Sequence, residues 1–281
     1  SFTGALGYSR RNLIELPEPL DDLATRQYQF FGQFDWVFHN SASQRWSLSA
    51  GLSDNRNTTF FDGVPLDSGI DSADQLQAGF LQLGVNGSGR SANLAWSAGA
   101  SLLQGIAALT PSNQRQELAF VDQKPGEARA LSGFLSASWA FAPSWQLTAR
   151  TAGQLAFNPL TSPMRFSLGS DAGLRGLPSQ LISGDDGWLG SAELAWTFWR
   201  DRRNALQLVP FYGIGWVRTE FPDVSFSDTV GAGGVFVRWL SGRNWEFDLG
   251  WVEQFSSDDN IGSWQGWSLA DGLYAKVSFR F

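Results

Sequence analysis

The chain ends Leu273-Tyr274-Ala275-Lys276-Val277-Ser278-Phe279-Arg280-Phe281, and the alternation in this stretch decides the fold. Apolar side chains occupy 273, 275, 277, 279 and 281, while polar or charged ones occupy 274, 276, 278 and 280. Successive side chains of a strand point to opposite faces, so one face is greasy and the other wet. A soluble protein hides the greasy face in a core. Here the pattern recurs along most of the chain, which points to a greasy face turned to lipid.

Composition narrows the reading. The 27 Asp and Glu outnumber the 20 Lys and Arg, which argues against a nucleic-acid partner, since that needs a basic stripe. Without Cys there is no disulfide, thiolate zinc site or cysteine nucleophile, and the single His39 removes most zinc and triad chemistry. The outlying feature is 14 Trp and 22 Phe. Trp collects where one end of the ring is apolar and the other wet, above all at membrane interfaces. No window holds the roughly 18 consecutive apolar residues that a membrane helix needs. A closed barrel is the remaining way to satisfy every backbone group in lipid. No signal peptide precedes Ser1, although export to an outer membrane requires one, so Ser1 is taken as near a mature or engineered start.

Outward rows of alternation start at Phe2, Tyr28, Trp46, Gln75, Leu94, Leu131, Trp145, Trp188, Leu206, Val235, Trp245 and Leu273. That gives about 12 strands of roughly 9–12 residues, the length a tilted strand needs to cross a bilayer. The phase is ambiguous only where Phe80 and Leu81 adjoin, and a bulge is expected there. Connections alternate short (40–44, 87–90, 142–144, 201–204, 241–244) and long (10–25, 53–74, 105–129, 157–187, 219–228, 256–269). Short periplasmic turns and longer outer loops are the habit of outer-membrane barrels, and an even strand count then leaves both termini periplasmic. Trp46, Trp139, Trp145, Trp239 and Trp245 sit beside short turns, where a lower aromatic girdle belongs. Trp199 lies there too but off its strand's outward phase. A soluble β-sandwich would need polar outward rows and one shared core; the inward Gln, Ser, Thr, Arg and Gly are too wet for that.

The longest loop, 157–187, holds Phe166-Ser167-Leu168-Gly169-Ser170-Asp171-Ala172-Gly173-Leu174-Arg175-Gly176-Leu177-Pro178, followed by Ser183-Gly184-Asp185-Asp186-Gly187 and a strand bearing Glu193. This resembles the signature loop of the bacterial outer-membrane assembly and translocation superfamily, and most of all the barrel of two-partner-secretion transporters of the haemolysin secretion/activation type. In that family a long loop folds back into the lumen with a tip of the form Val/Leu-Arg-Gly-aromatic. Leu174-Arg175-Gly176 matches, Leu177 replaces the aromatic, and five strands follow the loop, as in the family. Gly184, Asp185 and Gly187 match its lead into the next strand. Leu273, Val277, Phe279 and the terminal Phe281 resemble the signal read by the barrel assembly machinery. The resemblance is good from about Phe157 onward. It implies that Arg175 pairs with inward acidic groups on the next two strands. Glu193 has inward parity and is expected to engage the guanidinium in a bidentate way. The family's second carboxylate position is Gly213 here, also inward, so that partner is missing. Gly169, Gly173 and Gly176 are expected to supply turn conformations.

Two further departures bear on function. The family barrel has sixteen strands, and its periplasmic POTRA domains have no counterpart in this sequence. A cut sheet edge is forbidden in lipid, so the expectation is a natural barrel-only protein forming a single domain over 1–281. No catalytic residue, metal site or cofactor is expected. His39, read as periplasmic and inward, is wrongly placed for an outer-membrane lipase, and Asp185, Asp186, Asp201 and Asp223 lack the spacing of a calcium loop. The leading function is translocation or insertion of a polypeptide or lipid through the lumen or through the seam between the first and last strands. The alternative is a silent accessory barrel acting as a homo-oligomer, a homodimer among them, or as a partner scaffold, with Phe30, Phe34, Trp36 and Phe38 as a protein-facing surface. Expected partners are outer-membrane lipid, the assembly machinery, and a secreted polypeptide or a POTRA-bearing periplasmic subunit.

Overall fold

The computed structural model describes residues 1–12, 23–61, 64–65, 75–170, 172–177, 181–220, 225–242, 244–256 and 272–279. The strands are β1 (Phe2–Asn12), β2 (Leu23–Asn40), β3 (Gln44–Phe61), β4 (Val64–Pro65), β5 (Gln75–Arg90), β6 (Leu94–Ile106), β7 (Arg129–Ala142), β8 (Trp145–Ala156), β9 (Phe166–Leu168), β10 (Ile182–Gly184), β11 (Asp186–Arg200), β12 (Asn204–Glu220), β13 (Ser225–Ser241), β14 (Trp245–Ser256) and β15 (Gly272–Phe279). A helix, α1 (Ser112–Phe120), lies between β6 and β7. One thirteen-stranded antiparallel sheet runs β1-β2-β3-β5-β6-β7-β8-β11-β12-β13-β14-β15, with β4 paired only to β3. Strand order equals chain order, so each strand pairs with the next through one hairpin. β1 and β15 end the ladder, and among the described residues no pairing joins them.

The sheet is rolled into an antiparallel transmembrane β-barrel with its apolar rows outside. Leu6, Phe34, Trp251 and Val277 are more than half exposed, whereas Phe236 on the opposite face of its strand is 1% exposed. A polar cavity of about 320 Å³ shows the roll directly. It is lined by Gln27, Gln29, Asn55 and Asn57 of β2 and β3 and, opposite them, by Arg165 and Ser183 of the β8–β11 connection. That same connection packs against β11, β12, β13 and β14. It therefore bridges opposite walls.

Strands are longer than expected: β2 and β3 each run 18 residues, and β12 and β13 each run 17. The excess lies toward the long connections, where the ladder continues past the length a bilayer requires. The β12–β13 connection, expected to be long, shrinks to 221–224 for this reason.

Two bulges settle the phase problems. β11 shifts register between Thr197 and Trp199, so Trp199 pairs with Leu206 on the outward row. Sequence alternation put Trp199 off phase because it counts residues and cannot see the extra one. In β2 the shift between Val37 and His39 sets His39 opposite Trp46, an outward residue, so His39 faces out rather than into the bore. The bulge expected at Phe80–Leu81 is absent: β5 pairs continuously with β3 and β6. Phe80 simply points inward and packs with Leu103, Leu160 and Met164 under the long connections.

Beside the short turns the aromatics form runs of touching rings. Trp139, Phe141, Trp145, Trp196 and Phe198 follow one another at centroid distances of 5.3, 6.4, 5.8 and 5.9 Å. Trp239, Phe247, Trp245 and Phe279 continue at 5.0, 5.7 and 4.6 Å. Phe279, Leu273 and Val277 are outward and exposed; Phe281 lies outside the described residues. The β11–β12 turn is fixed by Asp201, whose Oδ1 accepts from Arg203 N and Asn204 N at 2.7 Å each. Those two donors hold its carboxyl below the usual range.

If these rings ride at the headgroup level, Trp emission in vesicles will be quenched more by lipid brominated near the headgroup than by lipid brominated near the chain end. Equal quenching at both depths would contradict the girdle.

Candidate functional site in the barrel lumen

Much of the inner face of the β11–β14 wall is apolar. Leu189 of β11, Val209, Phe211 and Val217 of β12, Val230 and Phe236 of β13, and Val252 of β14 are buried there. β12 alternates a buried inner row with a more exposed outer one, yet from Leu208 to Val217 both rows are apolar, as in a strand covered on two sides. What covers the inner row is the β8–β11 connection. Its Leu168, Leu174, Leu177 and Ile182 are at most 5% exposed and sit on this wall.

The connection is built to lie flat. A 3-10 turn (Ser162–Met164) leads into the β9–β10 hairpin, which pairs Phe166 with Gly184. Asp185 staples its base. Asp185 Oδ1 accepts from Leu160 N and Arg165 Nε, both at 3.2 Å, and Oδ2 accepts from Glu220 N at 3.2 Å. Asp186 accepts from Arg218 Nη2 at 2.7 Å and from Ala156 N at 2.7 Å. Protein donors thus occupy two of the four carboxylates weighed above as calcium ligands; Asp223 lies outside the described residues. Gly184 and Gly187 are close-approach glycines: a Cβ would come within 2.7 Å of Arg218 O and 2.3 Å of Phe166 Cδ1, respectively. At the tip, Gly173 and Gly176 have φ of +108° and +89°, a region that side-chain-bearing residues resist. A Cβ on Gly176 would also meet Val252 Cγ1 at 2.5 Å. Gln254 Nε2 donates to Gly176 O.

Between these glycines Arg175 lies over the β11–β15 wall. Its Nε donates to Glu193 Oε1 at 2.9 Å, and its Nη1 donates to Asp248 Oδ2 at 2.9 Å and to Tyr274 Oη at 2.8 Å. The fork is therefore divided between strands, not bidentate on Glu193. Arg238 completes the cluster: Nε donates to Asp248 Oδ1 at 2.9 Å, and Nη2 lies 3.3 Å from Asp248 Oδ2 and 3.5 Å from Glu193 Oε2. Its Nε also lies 3.4 Å from Glu246 Oε1. The Phe236 ring takes both guanidinium groups, with Arg175 Cζ at 4.6 Å and Arg238 Cζ at 5.1 Å from the centroid.

Gly213, where the family carries its second carboxylate, faces the same space. A Cβ there would sit 3.0 Å from Leu174 Cδ2, so the leucine occupies the room a side chain would need. Asp248, two strands further on, supplies the second carboxylate. Sequence reasoning missed Asp248, Arg238, Tyr274 and Phe236. A signal was present: Arg238 and Asp248 share inward parity and are direct cross-strand partners. Opposite charges so placed stabilise a sheet pair.

A cavity of about 480 Å³ adjoins the cluster, lined by Arg150, Ser170, Glu193, Tyr274 and Lys276 with the loop tip. The arrangement offers no nucleophile–base pair and no open ligand set. Physically it is a latch: a loop held by apolar seating and tied by charge to β11, β14 and β15.

Residues 23–235 match the family model of the haemolysin secretion/activation protein ShlB/FhaC/HecB. No curated protein matches the chain in sequence. Among solved structures, CdiB from Escherichia coli superposes with a TM-score of 0.71 at 16% identity, covering 99% of this chain and 48% of that one. CdiB from Acinetobacter baumannii gives 0.65 at 15% identity, covering 99% and 46%. BamA from Haemophilus ducreyi lacking POTRA domains 1–3 gives 0.57 at 12% identity, covering 99% and 59%. At these identities the likeness is one of fold, and the chain spans about half the length of the solved structures it matches.

Removing one partner from a buried ion cluster leaves the others uncompensated, so Arg175→Ala is expected to cost about 3–5 kcal/mol of unfolding free energy. Asp248→Asn should cost more than Glu193→Gln, because the Asp248 side chain is 1% exposed and that of Glu193 is 22%. Tyr274→Phe removes one charge-assisted hydrogen bond and should cost about 1.5–3 kcal/mol. Urea midpoints followed by the heat-modifiable gel shift check the order; equal effects for all four would contradict the latch.

Proposed function

We propose, from the premise that this chain belongs to the ShlB/FhaC/HecB haemolysin secretion/activation family, that its barrel is the membrane passage for a secreted polypeptide and that the Arg175 loop is the plug of that passage. The family is one of outer-membrane secretion transporters, not of enzymes. The observation that carries the reading is the Arg175 tie, which fastens a buried loop tip inside the bore to β11, β14 and the last strand. A plug must be held firmly enough to keep the bore shut and loosely enough to leave. The buried leucines supply the holding, whereas the ionic cluster is a set of discrete contacts that can be exchanged for water.

The short turns face the periplasm in this reading, and both termini lie there. Long connections then face outward, as in other outer-membrane barrels. The outward row ending at Phe279, with Leu273 and Val277, would be offered to the assembly machinery during insertion. Client capture would fall to a POTRA-bearing segment or subunit. A second reading, a silent accessory barrel forming homodimers, draws on one feature. Phe34, Trp36, Leu48, Leu83, Leu102 and Leu131 line an apolar outward groove of about 550 Å³. Lipid chains fill such a groove equally well.

Planar-bilayer recording separates the two. The unmodified barrel should pass little current. Arg175→Ala, or deletion of 172–177, should raise open-state conductance several-fold. A deleted-loop barrel that is folded, silent and dimeric in detergent would replace the passage with the scaffold.

A further inference from the structure

The short-turn mouth carries charge of the sign opposite to the molecule as a whole. The chain's net charge is −7. Yet Arg45, Arg90, Arg200 and Lys276 all take inward positions at or near that mouth. Arg45 lies on the row of buried Ser49 and Ser53 in β3. Arg90 lies on the β5 row whose Asn86 donates to Ser49 Oγ at 3.2 Å. Arg200 is turned inward by the β11 bulge and pairs with buried Ala205. Lys276 shares the β15 row of Tyr274 and lies opposite Asp248. In ladder order these are the third, fourth, eighth and twelfth strands, so the cations are spread round the opening. All four are exposed, and among the described residues none of them makes an ion pair. Arg45 and Arg90 line a shared recess of about 320 Å³ with Ser43, Gln44 and Ser88. Arg202 and Arg203 add charge in the adjoining turn.

The carboxylates facing the same mouth are already occupied. Asp35 accepts from Gln33 Nε2 at 2.7 Å, Asp201 caps its turn, and Glu246 and Asp248, the latter level with Lys276, are paired with Arg238.

We propose that the short-turn mouth is a cationic vestibule that gathers acidic stretches of an extended polypeptide before they enter the bore. The inference rests on the passage reading above and names the chemistry of its client. A ring of like charges at a pore entrance selects by charge and concentrates counter-charged ligands. Because the charges are distributed over four strands instead of gathered in one cleft, the vestibule reads charge density and not sequence. Lipid headgroups are excluded as the occupant, since these side chains point into the bore and away from the membrane face.

Two measurements on the whole purified barrel test this. Binding of a fluorescent Glu-rich peptide should be salt-sensitive, stronger than that of a Lys-rich peptide of equal length, and weakened at least about tenfold by the triple change Arg45→Glu, Arg90→Glu, Arg200→Glu. The triple Gln variant should lie between. In a KCl gradient the Arg175→Ala pore should prefer anions, and adding the Glu triple should reverse that preference. The Arg residues are exposed strand-end residues, and the heat-modifiable gel shift confirms that the variants fold. Equal binding of both peptides, or binding and selectivity unmoved by the triple change, overturns the vestibule. Current without selectivity and without acidic-peptide binding sinks the vestibule and leaves the passage. Charge-specific binding in a barrel silent even after loop release keeps the vestibule and removes the passage.

Discussion

Everything in this molecule depends on how the bore beside β12 and β13 is filled. A strand with apolar rows on both faces cannot leave one of them in water. Lipid takes the outer row and the β8–β11 connection takes the inner. Burying Leu168, Leu174, Leu177 and Ile182 is worth about 1.5–3 kcal/mol for each side chain. The ionic cluster contributes less net stability, because taking charges out of water offsets most of their mutual attraction. Its effect is positional. The leucines explain why the loop stays in, and Arg175 explains where its tip stops.

That division makes sense of Gly213. A carboxylate at this position would collide with Leu174, and the space is spent on apolar seating instead. The guanidinium still needs a second anion, and Asp248 provides it while being neutralised from the other side by Arg238. The consequence is a longer reach. The tie extends beyond the neighbouring strands to Tyr274, which stands on the strand that ends the ladder. Loop position and the edge of the sheet are thereby linked through one side chain.

The strand pattern was legible because a membrane barrel writes a strict two-residue period into its sequence. Strand number, the short turns, the girdle and the inward parity of Glu193 all follow from that period. Where the period slips, sequence reading fails in a definite way. Trp199 and His39 lie beyond single-residue bulges that shift every later side chain to the other face. Phe80 breaks the pattern for a different reason: it is an inward aromatic, tolerated because the long connections cover it. The apolar inner wall is written in the sequence as the unbroken hydrophobic stretch of β12, which alternation alone reads as an ordinary outward row. Arg175 and Glu193 could be named from the loop motif and parity. Tyr274 could not, and Asp248 is legible only as an inward cross-strand partner of Arg238, since no local rule says which inward residues a folded-back loop will meet.

Thiol protection tests the seating of the loop most directly. The chain has no native Cys, and Leu174 at the loop tip is 0% exposed. The single variant Leu174→Cys should resist a water-soluble maleimide in the folded barrel in vesicles and label fully after heat unfolding. The same cysteine with Arg175→Ala should label faster in the folded state. Rapid labelling of Leu174→Cys in the folded barrel, with Arg175 intact, would place the loop tip outside the bore and contradict the account.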